Sequence, residues 1–199
     1  SSHIARLKSI VEYGKKMNRN IYFIGRSLGK YVSSAIDINM CPFKNDIYIA
    51  SYRKQVESVL RRVSKQRNKS LVVCTGHQGE PGSIMERLSK RQLPFELQNG
   101  VNIIFSSKTI PTPVNIANKE VMDKRLKKMG VRIFDNVHVS GHAGREDLRD
   151  LLSIINPEKI IPAHGTIQQL TPMVELAREM GYRPGKEIHL MQDGQKLKL

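Results

Sequence analysis

The sequence has no tryptophan, only two cysteines, and just 18 acidic residues among 199. Cys41 and Cys74 are too few for a disulfide framework and lack the spacing of a structural metal motif. Two unpaired thiols fit a reducing cytoplasm, the expected location. Cys74 closes the apolar run L-V-V-C at 71–74 and reads as a buried small hydrophobe. No apolar stretch approaches the roughly 20 residues needed to cross a bilayer, so no membrane contact is expected. The opening S-S-H-I-A-R-L-K runs directly into an amphipathic helix without a signal peptide, an abrupt start expected of a piece of a larger protein. Also missing are the Gly-Lys-Ser/Thr end of a Walker loop and the G-x-G-x-x-G fingerprint with its ribose-binding acid. A nucleotide-binding Rossmann domain is thereby disfavoured.

The shortage of acids matters most for charge. Thirty-three Lys and Arg leave a formal net charge of +15. A field of that sign attracts polyanions, and nucleic acid is the commonest polyanion for a soluble chain. A generally basic surface without a specific partner is the alternative. The cations cluster in K-K-M-N-R at 15–19, R-R-V-S-K-Q-R-N-K at 61–69 and K-R-L-K-K at 124–128. Each cluster falls on or beside an expected helix and could equally be a solvated face.

Strands and helices alternate along the chain. Ile4, Leu7, Ile10 and Val11 mark a helix, and I-Y-F-I at 21–24 a strand. Val56, Val59, Leu60 and Val63 mark a helix before the strand at 71–74. Ile84, Met85 and Leu88 follow on a helix beginning near Pro81, then a strand at 101–105, a helix around 115–129 and a strand at 131–134. Apolar strands separated by helices predict an α/β fold with a parallel sheet covered on both faces. Residues 25–52 are irregular in pattern, and 40–46 read as a loop.

The densest chemistry lies at 137–165, V-H-V-S-G-H-A-G-R-E-D-L-R-D-L-L-S-I-I-N-P-E-K-I-I-P-A-H-G. His142 and His164 each end a short strand-like run beside glycine, where a metal or phosphate can approach. Between them Leu148, Leu151, Leu152 and Ile155 fall on one helical face. Alone, each histidine reads more readily as structural; two such turns in consecutive strand–helix units favour a site. Ser140, the backbone of Gly141, Ala143 and Gly144, and the imidazoles of His138 and His142 could together hold a terminal phosphate. Protonated, His142 could stabilise developing negative charge or pass a proton to a leaving oxygen.

Upstream, C-T-G-H-Q-G-E-P at 74–81 sets Gly76, His77, Gln78 and Gly79 between a strand end and a helix start. Backbone N–H groups there can face an anion, or the loop is simply a tight turn. F-I-G-R-S at 23–27 offers Arg26 as a phosphate clamp and Ser27 as a donor. I-I-F-S-S-K-T-I-P at 103–111 offers Ser106, Ser107 and Lys108 at another strand end. Ordinary surface residues are the alternative for both.

S-G-H-A-G and P-A-H-G, 22 residues apart from His142 to His164, resemble the last two motifs of the β-CASP branch of the metallo-β-lactamase superfamily. With the three upstream motifs in the same order, the chain resembles ribonuclease J of the archaeal type over essentially its whole length. The resemblance implies residues 1–136 as most of a Rossmann-like β-CASP domain and 137–199 as the C-terminal strand and helix portion of the metallo-β-lactamase domain. It also implies a zinc-dependent ribonuclease acting on single-stranded RNA, most simply a 5′-to-3′ exonuclease on 5′-monophosphorylated ends, and a homodimer. The loop matching 75–81 lines the RNA cleft in such enzymes and usually carries serine where this chain has His77. The histidine matching His142 sits beside the scissile phosphate, and Ser2 with His3 matches a polar pair facing that pocket. The histidine matching His164 completes one of two zinc sites, while the glutamate common after the glycine is Thr166 here. H-x-H-x-D-H, which would carry most zinc ligands, does not occur in the chain, so these residues alone are expected to be inactive. His189, in E-I-H-L, is expected to be structural. The alternatives are a β-CASP endoribonuclease of the cleavage-and-polyadenylation type, and a non-catalytic nucleic-acid-binding module.

Overall fold

In a computed structural model of the chain, residues 3–135, 137 and 143–198 are described. They form two compact units, Ser1–His138 and Val139–Leu199.

The first unit is α/β, with parallel strands flanked by helices. Helix α1 (Ile4–Lys16) leads to β1 (Asn20–Ile24), α2 (Arg26–Asp37), a 3₁₀ turn and β2 (Ile47–Ala50). Helix α3 (Arg53–Lys65), a second 3₁₀ turn, β3 (Ser70–Cys74) and α4 (Ile84–Ser89) follow. Strand β4 (Asn102–Ile104), α5 (Pro113–Lys128) and β5 (Arg132–Phe134) complete the unit. One sheet has the order β2-β1-β3 and another pairs β4 with β5; every pairing is parallel.

Strand β1 shows why the sheet is covered on both faces. Its side chains alternate: Ile21 and Phe23 join Leu7, Val11, Leu28 and Val32 from α1 and α2. Tyr22 and Ile24 join Val59, Leu60, Met122 and Leu126 from α3 and α5. Gly14 lets α1 lie close, since a Cβ there would stand 2.8 Å from Leu71 Cδ2.

The segment 25–52, irregular by pattern, forms α2 and β2. Leu28, Val32 and Ala35 recur at helical spacing on the buried side of α2, and the loop at 40–46 is anchored by buried Cys41 and Phe43. Helix α4 begins at Ile84 rather than near Pro81, because the Ser83 side chain caps it by accepting from the Glu86 N–H.

The second unit contains α6 (Arg145–Ile155) and α7 (Ile167–Glu179), packed on Leu152, Ile160, Ala177 and Ile188. Where strands are expected at about 160–163 and 187–190, there are only isolated bridges through Ile160 and Ile188. Pro162 has no N–H to continue a ladder, so the pairing stops at Ile160 N–H to Glu187 O and His189 N–H to Ile160 O. Residues 138–142, the strand-like run ending at His142, lie outside the described residues.

Candidate nucleic-acid interface

Three motifs follow the carboxyl ends of parallel strands: F-I-G-R-S after β1, the glycine loop after β3 and S-S-K-T after β4. Loops at that edge of an α/β sheet are where ligands bind. Strands β1 and β3 pair directly, so the first two loops are neighbours. A Cβ on Gly25 would meet Thr75 Oγ1 at 3.3 Å. Arg26 and Ser27 are the first two residues of α2, both exposed, and no side chain caps that helix. Its first-turn N–H groups therefore face outward with an arginine beside them.

The glycine loop is locked to the third motif. Gln78 is buried, and its side-chain carbonyl accepts the Ile110 N–H at 3.1 Å. Gly79 lies at φ +70°, where an added Cβ would stand 2.5 Å from the Asn118 carbonyl oxygen. Only glycine permits that approach. At the loop's other end, the Gly82 N–H donates to Glu86 Oε2 at 3.3 Å, and buried Glu86 is paired with Lys90.

The loop's own amides are partly used within it. The Gly79 N–H donates to Gly76 O at 3.2 Å and the Gln78 N–H to Glu80 Oε2 at 3.2 Å. These donors close the loop on itself, so Gln78 and Gly79 shape the edge and Gln78 acts as a strut. The S-x-x-E pattern at Ser83 and Glu86 is visible in the sequence as a capping signal; the role of Glu80 is not.

Ser106 and Ser107 are half-buried and Lys108 is exposed. Arg6, which sequence reasoning missed, donates through Nη1 to the Ser106 carbonyl at 2.7 Å. His3 caps α1, its Nδ1 accepting the Arg6 N–H at 3.0 Å. The first turn of α1 thus holds the S-S-K-T loop from one side. Behind that loop, Lys119 sits 4.0 Å from the Phe105 ring centroid and pairs with Asp123. Burial at the end of β3 pushes the Cys74 thiol up to about 12, which leaves it protonated and a poor nucleophile.

In the second unit, Ala143 and Gly144 lead into α6. The Gly144 N–H donates to Asp147 Oδ2 at 2.8 Å, and Glu146 shares the first turn. That amide is therefore already satisfied by an acid of its own helix, where the sequence suggested a donor to phosphate. Ser2, His138, Ser140, Gly141 and His142 lie outside the described residues.

His164 is exposed and holds φ +68°, a conformation uncommon outside glycine. It lines a cavity of about 470 Å³ with Pro162, Gly165, Leu170 and Asp193. Thr166 after it is the N-cap of α7, its N–H donating to Gln169 Oε1 at 2.8 Å. A zinc site needs three or four protein ligands. Among the described residues no three His, Cys, Asp or Glu side chains gather around a common point, so these residues do not compose a zinc site. His189 is half-buried, with Nε2 3.1 Å from the Lys186 carbonyl. No described helix is long and apolar enough to cross a membrane.

Comparison with known proteins adds to this geometry. Residues 1–124 match the family described as "Ribonuclease J, beta-CASP domain", and residues 128–191 the "Zn-dependent metallo-hydrolase RNA specificity domain". The chain is similar to Ribonuclease J of Methanocaldococcus jannaschii, 41% identical over 198 residues, covering 99% of this chain and 44% of the relative. It is similar to Ribonuclease J of Pyrococcus abyssi, 42% identical over 194 residues, covering 98% and 43%. Ribonuclease J of Helicobacter pylori is 30% identical over 204 residues, with 100% and 28% covered. The chain thus spans less than half the length of these curated relatives, and it belongs to the ribonuclease J family through its β-CASP domain.

Proposed function

We propose that this chain is the RNA-gripping part of a zinc-dependent ribonuclease J-like phosphodiester hydrolase, working in the 5′-to-3′ direction on 5′-monophosphorylated single-stranded RNA. The observation that carries the proposal is that three motif loops follow the carboxyl ends of parallel strands, with Gln78 joining the second to the third and Gly79 seating the second against α5. Arg26, Ser27, His77, Ser106 and Ser107, with Lys108 beside them, meet the RNA backbone along that edge. Gly76, Gln78 and Gly79 fix the edge's shape. Residues 1–136 act as the β-CASP domain and 137–199 as the returning part of the metallo-β-lactamase domain, in a cytoplasmic homodimer.

At the second unit, Ser140, His142 and the backbone of Gly141 and Ala143 hold the terminal phosphate, supported by His138 and Ser2, with Gly144 closing the turn onto α6. His142 places a proton or positive charge beside the scissile phosphate. His164 would supply one ligand to zinc, whose chemistry there would be activation of water and polarisation of the phosphoryl oxygen; the other ligands would have to come from outside the described residues.

The test pairs two histidines in the full-length protein. His142→Ala should lower turnover of 5′-monophosphorylated RNA by at least about tenfold, as expected on removal of one charge-stabilising group. His189→Ala should leave it nearly unchanged, because its ring meets a local carbonyl three residues away. Equal damage from both would overturn the site assignment. Internal fragments instead of mononucleotides from labelled RNA would overturn the exonucleolytic direction.

A further inference from the structure

Helix α3 carries a charge pattern that the motif loops do not use. Between residues 53 and 69 stand Arg53, Lys54, Arg61, Arg62, Lys65, Arg67 and Lys69 against a single acid, Glu57. Elsewhere in the first unit several cations meet acids, Lys8 with Glu12, Lys15 with Asp46, Lys90 with Glu86 and Lys119 with Asp123, while the cations at 124–128 on α5, like most of those on α3, have no carboxylate within ion-pair distance among the described residues. On α3, Glu57 is shared by Arg53 at 2.8 Å and Arg61 at 3.9 Å. Among the described residues no carboxylate lies within ion-pair distance of Lys54, Arg62, Lys65, Arg67 or Lys69.

The charges are also ordered. Val56, Val59, Leu60 and Val63 are the buried side of the helix. Lys54, Ser58, Arg61 and Lys65, at i, i+4, i+7 and i+11, form one exposed line opposite them. That line is about 16 Å long at the helical rise. Beside it Arg62 lies over the ring of Tyr48, 5.9 Å from its centroid, and Tyr48 is 47% exposed. Tyr52, 70% exposed, stands at the start of the helix. Because α3 follows β2 and precedes β3, its first turn lies at the sheet edge that carries Arg26 and the glycine loop. Its last turn lies at the opposite edge.

We infer that the exposed face of α3, with Tyr48, is a second single-stranded RNA contact that carries the strand away from the motif loops. Rows of cations beside accessible aromatic rings fit this partner, since phosphates meet the charges and bases stack on the rings. The inference rests on the motif loops taking RNA, and the test separates the two.

Binding is measured with the full-length protein and nuclease-resistant 2′-O-methyl oligonucleotides of 6 and 24 nucleotides, by fluorescence anisotropy across a salt series. Lys54→Gln, Arg61→Gln and Lys65→Gln together should weaken the 24-mer by at least about tenfold at low salt. They should flatten its salt slope by about 2, three contacts at roughly 0.7 each, and leave the 6-mer within about twofold. Lys124→Gln, Lys127→Gln and Lys128→Gln remove the same charge from α5 and should change either oligonucleotide by less than about twofold. All six positions are exposed, and circular-dichroism melts matching the unsubstituted protein establish that both triple variants are folded. Equal losses from the two triple variants would reduce α3 to general charge and overturn the inference. So would equal loss on both lengths, or no loss on the 24-mer. Arg26→Ala should weaken both lengths; if it weakens neither, the motif-loop site fails while the comparison of the two triple variants still decides α3.

Discussion

The two units solve the problem of holding loops in place by different means. In the first, helices cover both faces of a parallel sheet, giving two apolar clusters that share β1. The motif loops inherit that rigidity: Gln78 joins the glycine loop to the third motif, Gly79 seats it against α5, and Arg6 of α1 holds the Ser106 carbonyl. Among the described residues, the second unit has five buried apolar side chains, four of them in one cluster, and no strand. Its two helices are also joined by ions, since Arg145 and Arg149 on α6 both reach Glu179 on α7, at 2.5 and 3.0 Å. Exposed ion pairs contribute little in water. Large apolar side chains, Ile154 and Ile155 among them, remain on its surface. Rigid sheet edges suit the gripping of a backbone, whereas the His164 turn stands on a thinner scaffold.

The largest expected effect puts that contrast under direct load. Phe23 is fully buried and packs 6.1 Å from the Phe43 ring; Phe23→Ala should cost about 3–5 kcal/mol. Ile188, 1% exposed, is the centre of the small cluster, and Ile188→Ala should cost about 2–5 kcal/mol. Hydrogen exchange read peptide by peptide should show each loss confined to its own unit. If Ile188→Ala speeds exchange in β1 as much as in α6, the units unfold together and the contrast is lost.

A smaller effect tests the loop stitching. Gly79→Ala places a Cβ against the Asn118 backbone at φ +70°, so strain and overlap combine to about 2–3 kcal/mol. Gly194, in the second unit, has φ +83° and open space where a methyl group would stand; Gly194→Ala should cost about 1 kcal/mol. Chemical unfolding monitored by circular dichroism gives both values. Equal costs would mean that the Asn118 approach is not tight.

Much of the first unit was legible because its residues follow simple periods. Apolar strands such as the one at 21–24, separated by helices such as the one with the Val56, Val59, Leu60, Val63 stripe, predicted a parallel sheet covered on both faces. Helix α2 was missed since Gly25, Gly29 and scattered serines dilute its stripe, and its buried side becomes evident only against Ile49 of β2 and Ser51 just after it. The second unit's strands were over-read: I-I-P-A and E-I-H-L have strand composition, but Pro162 ends the pairing after one bridge. The motifs were legible as motifs, while the use of their donors was not. That Gly79 and Gly144 amides are satisfied internally depends on where Gly76 O and Asp147 point, which spacing alone does not say.

The smallest effect concerns one carboxylate in each unit. Glu187 accepts three hydrogen bonds from the Arg183 guanidinium and one from the Arg183 N–H, and these hold its carboxyl down to about 2. Glu57 is lowered by the hydrogen bond from Arg53, without a backbone donor. A carboxylate depressed in the folded state adds stability above its unfolded value, about 4.3. That contribution is lost as pH falls through the folded value. The window for Glu187 is therefore about pH 4 down to 2. Both groups are open to solvent, so the effect on stability is slight and the titration itself is the sensitive readout. Carboxyl-detected NMR should place the Glu187 midpoint near 2 and return it to the ordinary range in Arg183→Ala. Glu57 should titrate below the ordinary range and respond to Arg53→Ala. If Glu187 titrated normally in the unsubstituted protein, the turn at Arg183–Glu187 would be loose, and the second unit would lose one of the few local ties that compensate for its small core.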